Sequence, residues 1–393
     1  MTKTFIVSGA RTPIGRLSGS LASFSAAELG GVAIAAALQR AGLEPSAVDH
    51  VIMGQVLQAG AGQNPARQAA VAGGIPMTVP AVTVNKVCLS GLYSIHLAEQ
   101  MVRSGQADVV VAGGMESMTN APYLLAGARA GYRLGDAVAI DGLVRDGLWC
   151  AFDDLHMGAA TDNYVQRSGI SRRDQDEFAA WSHERAATAV KDGRLDEEIV
   201  GVEVPQRKGP ALMVEADEGI RPGTTADSLA KLKPAFSPEG TITAGNASQL
   251  SDGGAAVVVV SEAMLSRAGL VPKAEMVGYG MVAGPDPSLL TQPSRAIARA
   301  LEGAGLTMAD VDLFEINEAF AAVALASMTE LGISPVVVNI NGGAIALGHP
   351  IGMTGTRLVI TMIEELNRRG GGLGAVALCG GGGQGDAALL RVA

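Results

Sequence analysis

The chain repeats itself once, and that repeat limits its fold more than any other feature. Ala41-Gly42-Leu43 is followed by Val48-Asp49, and Ala304-Gly305-Leu306 by Val311-Asp312. Ala41 and Ala304 are 263 residues apart, as are Val48 and Val311. Beyond each copy the hydrophobic pattern spells strand, turn, long helix and strand. In the first half, Val79–Val84 reads as a strand and Cys88–Arg103 as a helix closing at Ser104-Gly105. Val109–Ala112 is then a second strand ending in Gly113-Gly114. In the second half, Val336–Ile340 reads as the strand, and a glycine-rich turn around His349 leads to a helix ending near Arg369. Ala375–Cys379 is then a strand running into Gly380–Gly383. Apolar strands alternating with helices imply α/β architecture with parallel sheets covered on both faces. Ligands of such sheets gather at the carboxyl ends of strands, where Cys88, His349 and Cys379 fall. Taken alone, two such units also suit any ordinary α/β chain.

Between the halves the composition shifts. Both tryptophans, Trp149 and Trp181, and a dense mixture of charges lie in residues 121–250. One helix is plain there. Ser171 caps it with Asp174 three residues on, and Phe178 and Trp181 share its inner face at i, i+3. This stretch reads as an insertion. The first half is then 1–120 with 251–270, and Ala255–Val260 is a strand candidate. Val271-Pro272 marks the start of the second half, 271–393.

Composition narrows the function. A net charge of −10 argues against a nucleic-acid partner, so a phosphate-bearing ligand needs a local basic patch. The longest uncharged apolar runs, Leu29–Leu38 and Ala319–Met328, fall well short of a membrane span. Only three cysteines, Cys88, Cys150 and Cys379, are present, which excludes a disulfide scaffold and points to a reducing compartment. Without a secretory h-region or a peroxisomal terminus, the expectation is a cytoplasmic protein. Neither Cys-x-x-Cys nor His-Glu-x-x-His occurs, so no metal site is expected.

Four residues stand out chemically. Cys88 sits at the start of a predicted helix, where unpaired N–H groups and the dipole favour a thiolate. The expectation is a depressed pKa; the alternative is a buried small hydrophobe. His349 lies in Gly348-His349-Pro350-Ile351-Gly352, where it suits a base or an oxyanion donor, or a structural histidine. Cys379 opens Gly380-Gly381-Gly382-Gly383-Gln384-Gly385. Glycines let backbone N–H groups approach a ligand. The run also matches G-x-G-x-x-G, but Ala387–Val392 reads as a terminal strand and not the helix that a dinucleotide site requires. Asn317-Glu318-Ala319-Phe320 follows the strand Leu313–Ile316 and begins a predicted helix, where Asn317 orients a donor or serves only as N-cap. Cys150, His50, His96 and His183 have no partner motif.

Together these segments resemble the thiolase family from end to end. Ala10-Arg11-Thr12-Pro13-Ile14-Gly15 resembles its opening motif and Cys88-Leu89-Ser90-Gly91 its nucleophile segment. Asn317–Phe320, Gly348–Gly352 and Cys379–Gly385 resemble its other active-site blocks. The resemblance implies two similar α/β halves with mixed, mostly parallel sheets, stacked as five layers, αβαβα, with a loop domain inserted in the first half. It also implies a homodimer or homotetramer.

The implied chemistry is reversible Claisen condensation of acyl-CoA thioesters through an acyl-cysteine. Cys88 takes the acyl group and His349 activates it. Asn317, through a water, completes one oxyanion site, and the N–H groups of Cys88 and Gly381 form another. Cys379 moves the α-proton. No tightly bound cofactor is implied: coenzyme A and acetyl-CoA are substrates. The contacts carried over for CoA are Leu148, His156, Met157, Arg221, Ser228, Ala244, Ser248, Ala319 and Phe320. Met157 resembles the short-chain biosynthetic branch. Leu89 stands where members often carry a small residue, and Gly380 where a branched one is common. A thiolase for longer or branched 3-ketoacyl-CoAs is the alternative, and a decarboxylating 3-ketoacyl synthase a more distant one.

Overall fold

The computed structural model describes residues 3–393. The repeated Ala-Gly-Leu is a helix terminus. Helix α1 (Ala26–Ala41) begins with a Ser25/Glu28 capping box and ends at Gly42, whose φ of +65° closes the last turn. Gly305, at φ +67°, does the same for its counterpart. The leucine after each glycine bonds back to the helix, Leu43 N to Leu38 O and Leu306 N to Leu301 O. Short 3₁₀ turns, Pro45–Ala47 and Met308–Asp310, then lead into strands.

The main sheet has ten strands. They are β1 (Thr4–Arg11), the two-residue Gly15–Arg16, β2 (His50–Gly54), β3 (Ala81–Val84), β4 (Val109–Ser117), β5 (Ser251–Ser261), β6 (Ala274–Ala283), β7 (Leu313–Ile316), β8 (Gly372–Gly380) and β9 (Gln384–Val392). Their order is β7-β8-β9-β6-β1-β5-β4-β2-β3, with Gly15–Arg16 beside β5. Read outward from the centre, β1-β5-β4-β2 and β6-β9-β8-β7 are the same arrangement. In each, two antiparallel pairings are followed by a parallel one. The sheet is thus parallel on its flanks and antiparallel through its middle. The halves join where Phe5 and Ile6 pair with Glu275 and Ala274. Every residue of β4 and β5 is buried, because helices cover both faces.

Helix α1 and α2 (Pro65–Ala72) cover the outer face of the first half. Helices α3 (Ser90–Arg103) and α8 (Thr354–Arg369) touch each other and strands of both halves, forming the central layer. On the far side lie α6 (Gln292–Ala304) and α7 (Ala321–Leu331). The result is five layers, αβαβα. Between β4 and β5 the chain makes α4 (Met157–Ser168), α5 (Arg172–Lys191) and three two-stranded ribbons. Among the described residues, no helix is long and apolar enough to cross a membrane.

Four local expectations are corrected. Val336–Ile340 is no strand: Ser334 and Pro335 start a 3₁₀ turn, and only Val338 bridges to Phe314. Asn317 caps no helix, since α7 starts four residues later at Ala321. The helix read from Cys88 begins at Ser90. Helix α5 has the expected Ser171/Asp174 box and buried Phe178, but Trp181 is 37% exposed, with the Arg185 guanidinium over its ring.

Candidate active site

The turn carrying Cys88 is strained and tightly held. Val87 has φ +51°, a rare conformation for a β-branched residue, costing roughly 1–3 kcal/mol. Its N–H donates to Asn85 Oδ1 at 2.9 Å, and its carbonyl accepts from Ser90 Oγ at 2.6 Å. Ser90 Oγ also accepts from Lys86 N–H. Lys86 Nζ reaches Asp386 of β9 at 2.7 Å, tying this turn to the other half.

Cys88 is buried, and the N–H groups of Cys88 and Gly381 point at its sulfur. Burial pushes its thiol up to about 12; the two N–H groups pull it down and the Glu116 charge pushes it up. This corrects the expected depression: Cys88 precedes the first helical turn and lies out of water. The thiol is neutral at rest. Cys379 is also buried, and its thiol is pushed above the usual range by burial and by its closeness to Cys88, which disfavours two thiolates side by side.

The loop Gly348–Gly352 carries His349 between the halves. A Cβ on Gly114, at the carboxyl end of β4, would collide with the Gly352 carbonyl. Glu116 anchors the same loop, accepting from the N–H groups of Val56, Leu57 and Gly352 at 3.0–3.2 Å. His349 Nδ1 lies 2.6 Å from Thr354 Oγ1, which itself donates to Pro350 O at 2.9 Å. Thr354 has one proton, so His349 Nδ1–H must be the donor to it. That leaves the Nε2 lone pair facing the Asn317 amide nitrogen at 3.3 Å. Burial, with Arg357 adding to it, lowers the His349 pKa to about 3, so the ring is neutral. Asn317 Oδ1 is buried without a partner.

Burial lifts Glu116 to about 7 against its three N–H donors. The folded state therefore binds its proton more tightly than the unfolded one. Its stability contribution is full below pH ~4.5 and is lost as pH rises through 7. Replacing Glu116 with Gln should remove this slope. In urea unfolding at pH 5 and pH 8.5, the difference between wild type and variant is expected to move against wild type by on the order of 2–3 kcal/mol. Equal pH dependence of both would refute it.

The residues expected around the acyl group fall into two places. Cys379, Met157, Ala319 and Phe320 share one apolar cluster, and Cys88 packs with Leu148 in the next. His156 caps α4, its Nδ1 accepting from Gly158 N–H, and stacks on Phe236 at 4.7 Å. Ser248 N–H donates to Ala319 O. Arg221, Ser228 and Ala244 instead lie exposed on the surface. Ser228 spends its hydroxyl on Thr225. A Cβ on Gly245 would strike Leu229 at 2.6 Å, so the segments of Ser228 and Ala244 adjoin. A cleft of about 580 Å³ opens beside Gly381 and Met157, with Val87, Trp149 and Cys150 on its walls. A separate surface cavity of about 990 Å³, between α5 and α7, contains none of the predicted site residues. Thr354, Glu116 and Phe236 were not foreseen. The one visible signal was Glu116, a lone acid ending an apolar strand.

A family model described as the N-terminal domain of thiolase matches residues 4–263, and its C-terminal counterpart matches 270–392. The chain belongs to the thiolase family. Its thiolase relatives match along their whole length. A protein of Mycobacterium tuberculosis named probable acetyl-CoA acetyltransferase is 56% identical over 391 residues, 100% of both chains. Acetyl-CoA acetyltransferases of Cupriavidus necator and Pseudomonas aeruginosa are 51% and 50% identical, covering 100% and 99% of each chain.

Proposed function

We propose that the protein is an acetyl-CoA acetyltransferase, joining two acetyl-CoA into acetoacetyl-CoA and CoA, and reversing this by thiolysis. The observation that carries the reading is two buried thiols close enough to interact, Cys88 and Cys379, with the Gly381 N–H aimed at Cys88; a buried His349 with its Nε2 at the Asn317 amide supports it. The names of the full-length relatives support the same substrate.

In the first half-reaction Cys88 gives its proton to His349 Nε2 as sulfur attacks the thioester carbonyl. The Cys88 and Gly381 N–H groups receive the developing oxyanion. The departing CoA sulfur takes the Cys379 proton. This leaves a Cys379 thiolate and a His349 imidazolium, which stabilise each other in a site that disfavours either alone. The second acetyl-CoA then binds with its carbonyl at His349 Nε2–H and at a water held by Asn317 Oδ1. Cys379 takes the α-proton, and the enolate carbon attacks acetyl-Cys88. Collapse releases Cys88 as thiolate, and the His349 proton restores its thiol. The Cys88 proton thus returns by way of His349, while the proton Cys379 gave to CoA is replaced by the substrate α-proton.

Met157 supports a short acyl group: its Cε would lie 3.7 Å from a Cβ placed on Gly381. Leu148, His156, Ala319, Phe320 and Ser248 line the approach of CoA, while exposed Arg221, Ser228 and Ala244 meet its polar end. The halves 1–120 with 251–270 and 271–393, and the insertion 121–250, are the proposed domains; the chain leaving the sheet after Ser117 and returning at Ser251 supports them. The protein is proposed to be a cytoplasmic homodimer or homotetramer; exposed Tyr123, Leu125, Leu134 and Val138 suit a contact between subunits.

Thiolysis rates over 3-ketoacyl-CoAs of increasing length test the reading. Expected is a steep fall beyond acetoacetyl-CoA, and a flat profile would favour a longer-chain enzyme. Strong activity with malonyl-thioesters and none with acetyl-CoA would favour the decarboxylating alternative.

A further inference from the structure

The residue after each cysteine meets its counterpart. Leu89 follows Cys88, and Gly380 follows Cys379. A Cβ built on Gly380 would lie 2.6 Å from Leu89 Cγ, 2.9 Å from Cδ1 and 3.3 Å from Cδ2. The backbone of Gly380 is free of positive φ, so Leu89 is the obstacle to a side chain there. Leu89 has nowhere to move. It is fully buried in the central cluster with Leu92, Met353 and Leu378, and its carbonyl begins the bonding of α3. The Gly380 segment is held as firmly, closing a hairpin in which Cys379 pairs with Gly385 and Gly380 with Gln384.

We infer that Leu89 and Gly380 form a spacer that sets the distance between the nucleophile turn and the Cys379–Gly381 strand end. The isobutyl group of Leu89 fills the place a Gly380 side chain would need, so the Gly380 backbone packs directly against that side chain. Any added bulk at Gly380 must lift the strand end. That withdraws the Gly381 N–H from Cys88 and shifts Cys379 with it. Leu89 contacts no substrate in this account and is a positioning residue. The inference rests on the catalytic roles proposed above.

The test is a size cycle: Gly380→Ala, Leu89→Ala and the double variant. Gly380→Ala is expected to lower kcat for acetoacetyl-CoA synthesis roughly tenfold to a hundredfold, with KM for acetyl-CoA little changed. Adding Leu89→Ala should bring kcat back to within about threefold of wild type. Iodoacetamide labelling, read by peptide mass, separates positioning from general loosening. Gly380→Ala should change the labelling rates of Cys88 and Cys379 and leave Cys150 as in wild type. Full activity of Gly380→Ala, no recovery in the double variant, or parallel change at all three cysteines would overturn the inference. Should Gly380→Ala not fold, the double variant decides: folded and active supports the spacer, unfolded or inactive refutes it. A wild type that makes no acyl-enzyme would instead defeat the functional reading, and labelling would still judge the pair.

Discussion

Cys88→Ser is expected to reduce both thiolysis of acetoacetyl-CoA and its synthesis by roughly 10⁴-fold or more. The reason is not only the weaker nucleophile. Cys88 is out of water, so in the proposed mechanism its anion forms only as His349 takes the proton. A hydroxyl, far less acidic than a thiol, makes that transfer much steeper. Serine is nearly isosteric, so the fold should survive; unchanged thermal unfolding would verify this. Steady-state assay in both directions is the measurement. Retention of activity within tenfold would mean that another group carries the acyl chain.

The second large effect is on stability. Arg11 is fully buried, with Asp217 bound at 2.7 and 2.9 Å and Glu198 at 2.9 Å. Burial alone would lower its pKa, but the two carboxylates more than offset this and raise it above the ordinary value. The same carboxylates reach further. Asp217 Oδ1 accepts from Ile14 N–H, and Glu198 Oε2 from Thr361 on α8. Arg11 therefore joins β1, the inserted segment and the central layer. Arg11→Met would leave two buried carboxylates without their cation, at a cost of about 3–5 kcal/mol. Urea unfolding should show it as a large drop in midpoint. A change under about 1 kcal/mol would show the cluster to be solvated or replaceable.

Much of the fold was legible because its signals are local. The Ala-Gly-Leu repeat works as a helix stop wherever it stands, so it exposed the duplication before any tertiary information. The apolar runs of β4 and β5 announced burial on both faces but not strand direction, since a fully covered strand looks the same in either pairing. Val336–Ile340 misled because β-branched composition was outweighed by Ser334-Pro335, which favour a turn. Trp181 has the spacing of a core residue, but the neighbouring Arg185 gives its ring a partner at the surface.

Within the site, the resemblance supplied the candidate side chains, while their electrostatics came from burial. Cys88 beside a helix start suggested a depressed pKa; the helix begins two residues later and desolvation dominates. The His349 tautomer depends on Thr354, five residues along at the start of α8. The contact of Leu89 with Gly380 joins positions 291 residues apart, beyond any local pattern.

In the proposed division of labour, Cys88 carries the acyl group and Cys379 moves the α-proton. Rapid mixing of the Cys379→Ser variant with acetyl-CoA, following free CoA and the mass of the Cys88 peptide, tests it most directly. Expected are CoA release approaching one per site, a stable acetyl group on Cys88 and no acetoacetyl-CoA. Continued acetoacetyl-CoA synthesis at near wild-type rate, or an acetyl group found elsewhere than on Cys88, would contradict it.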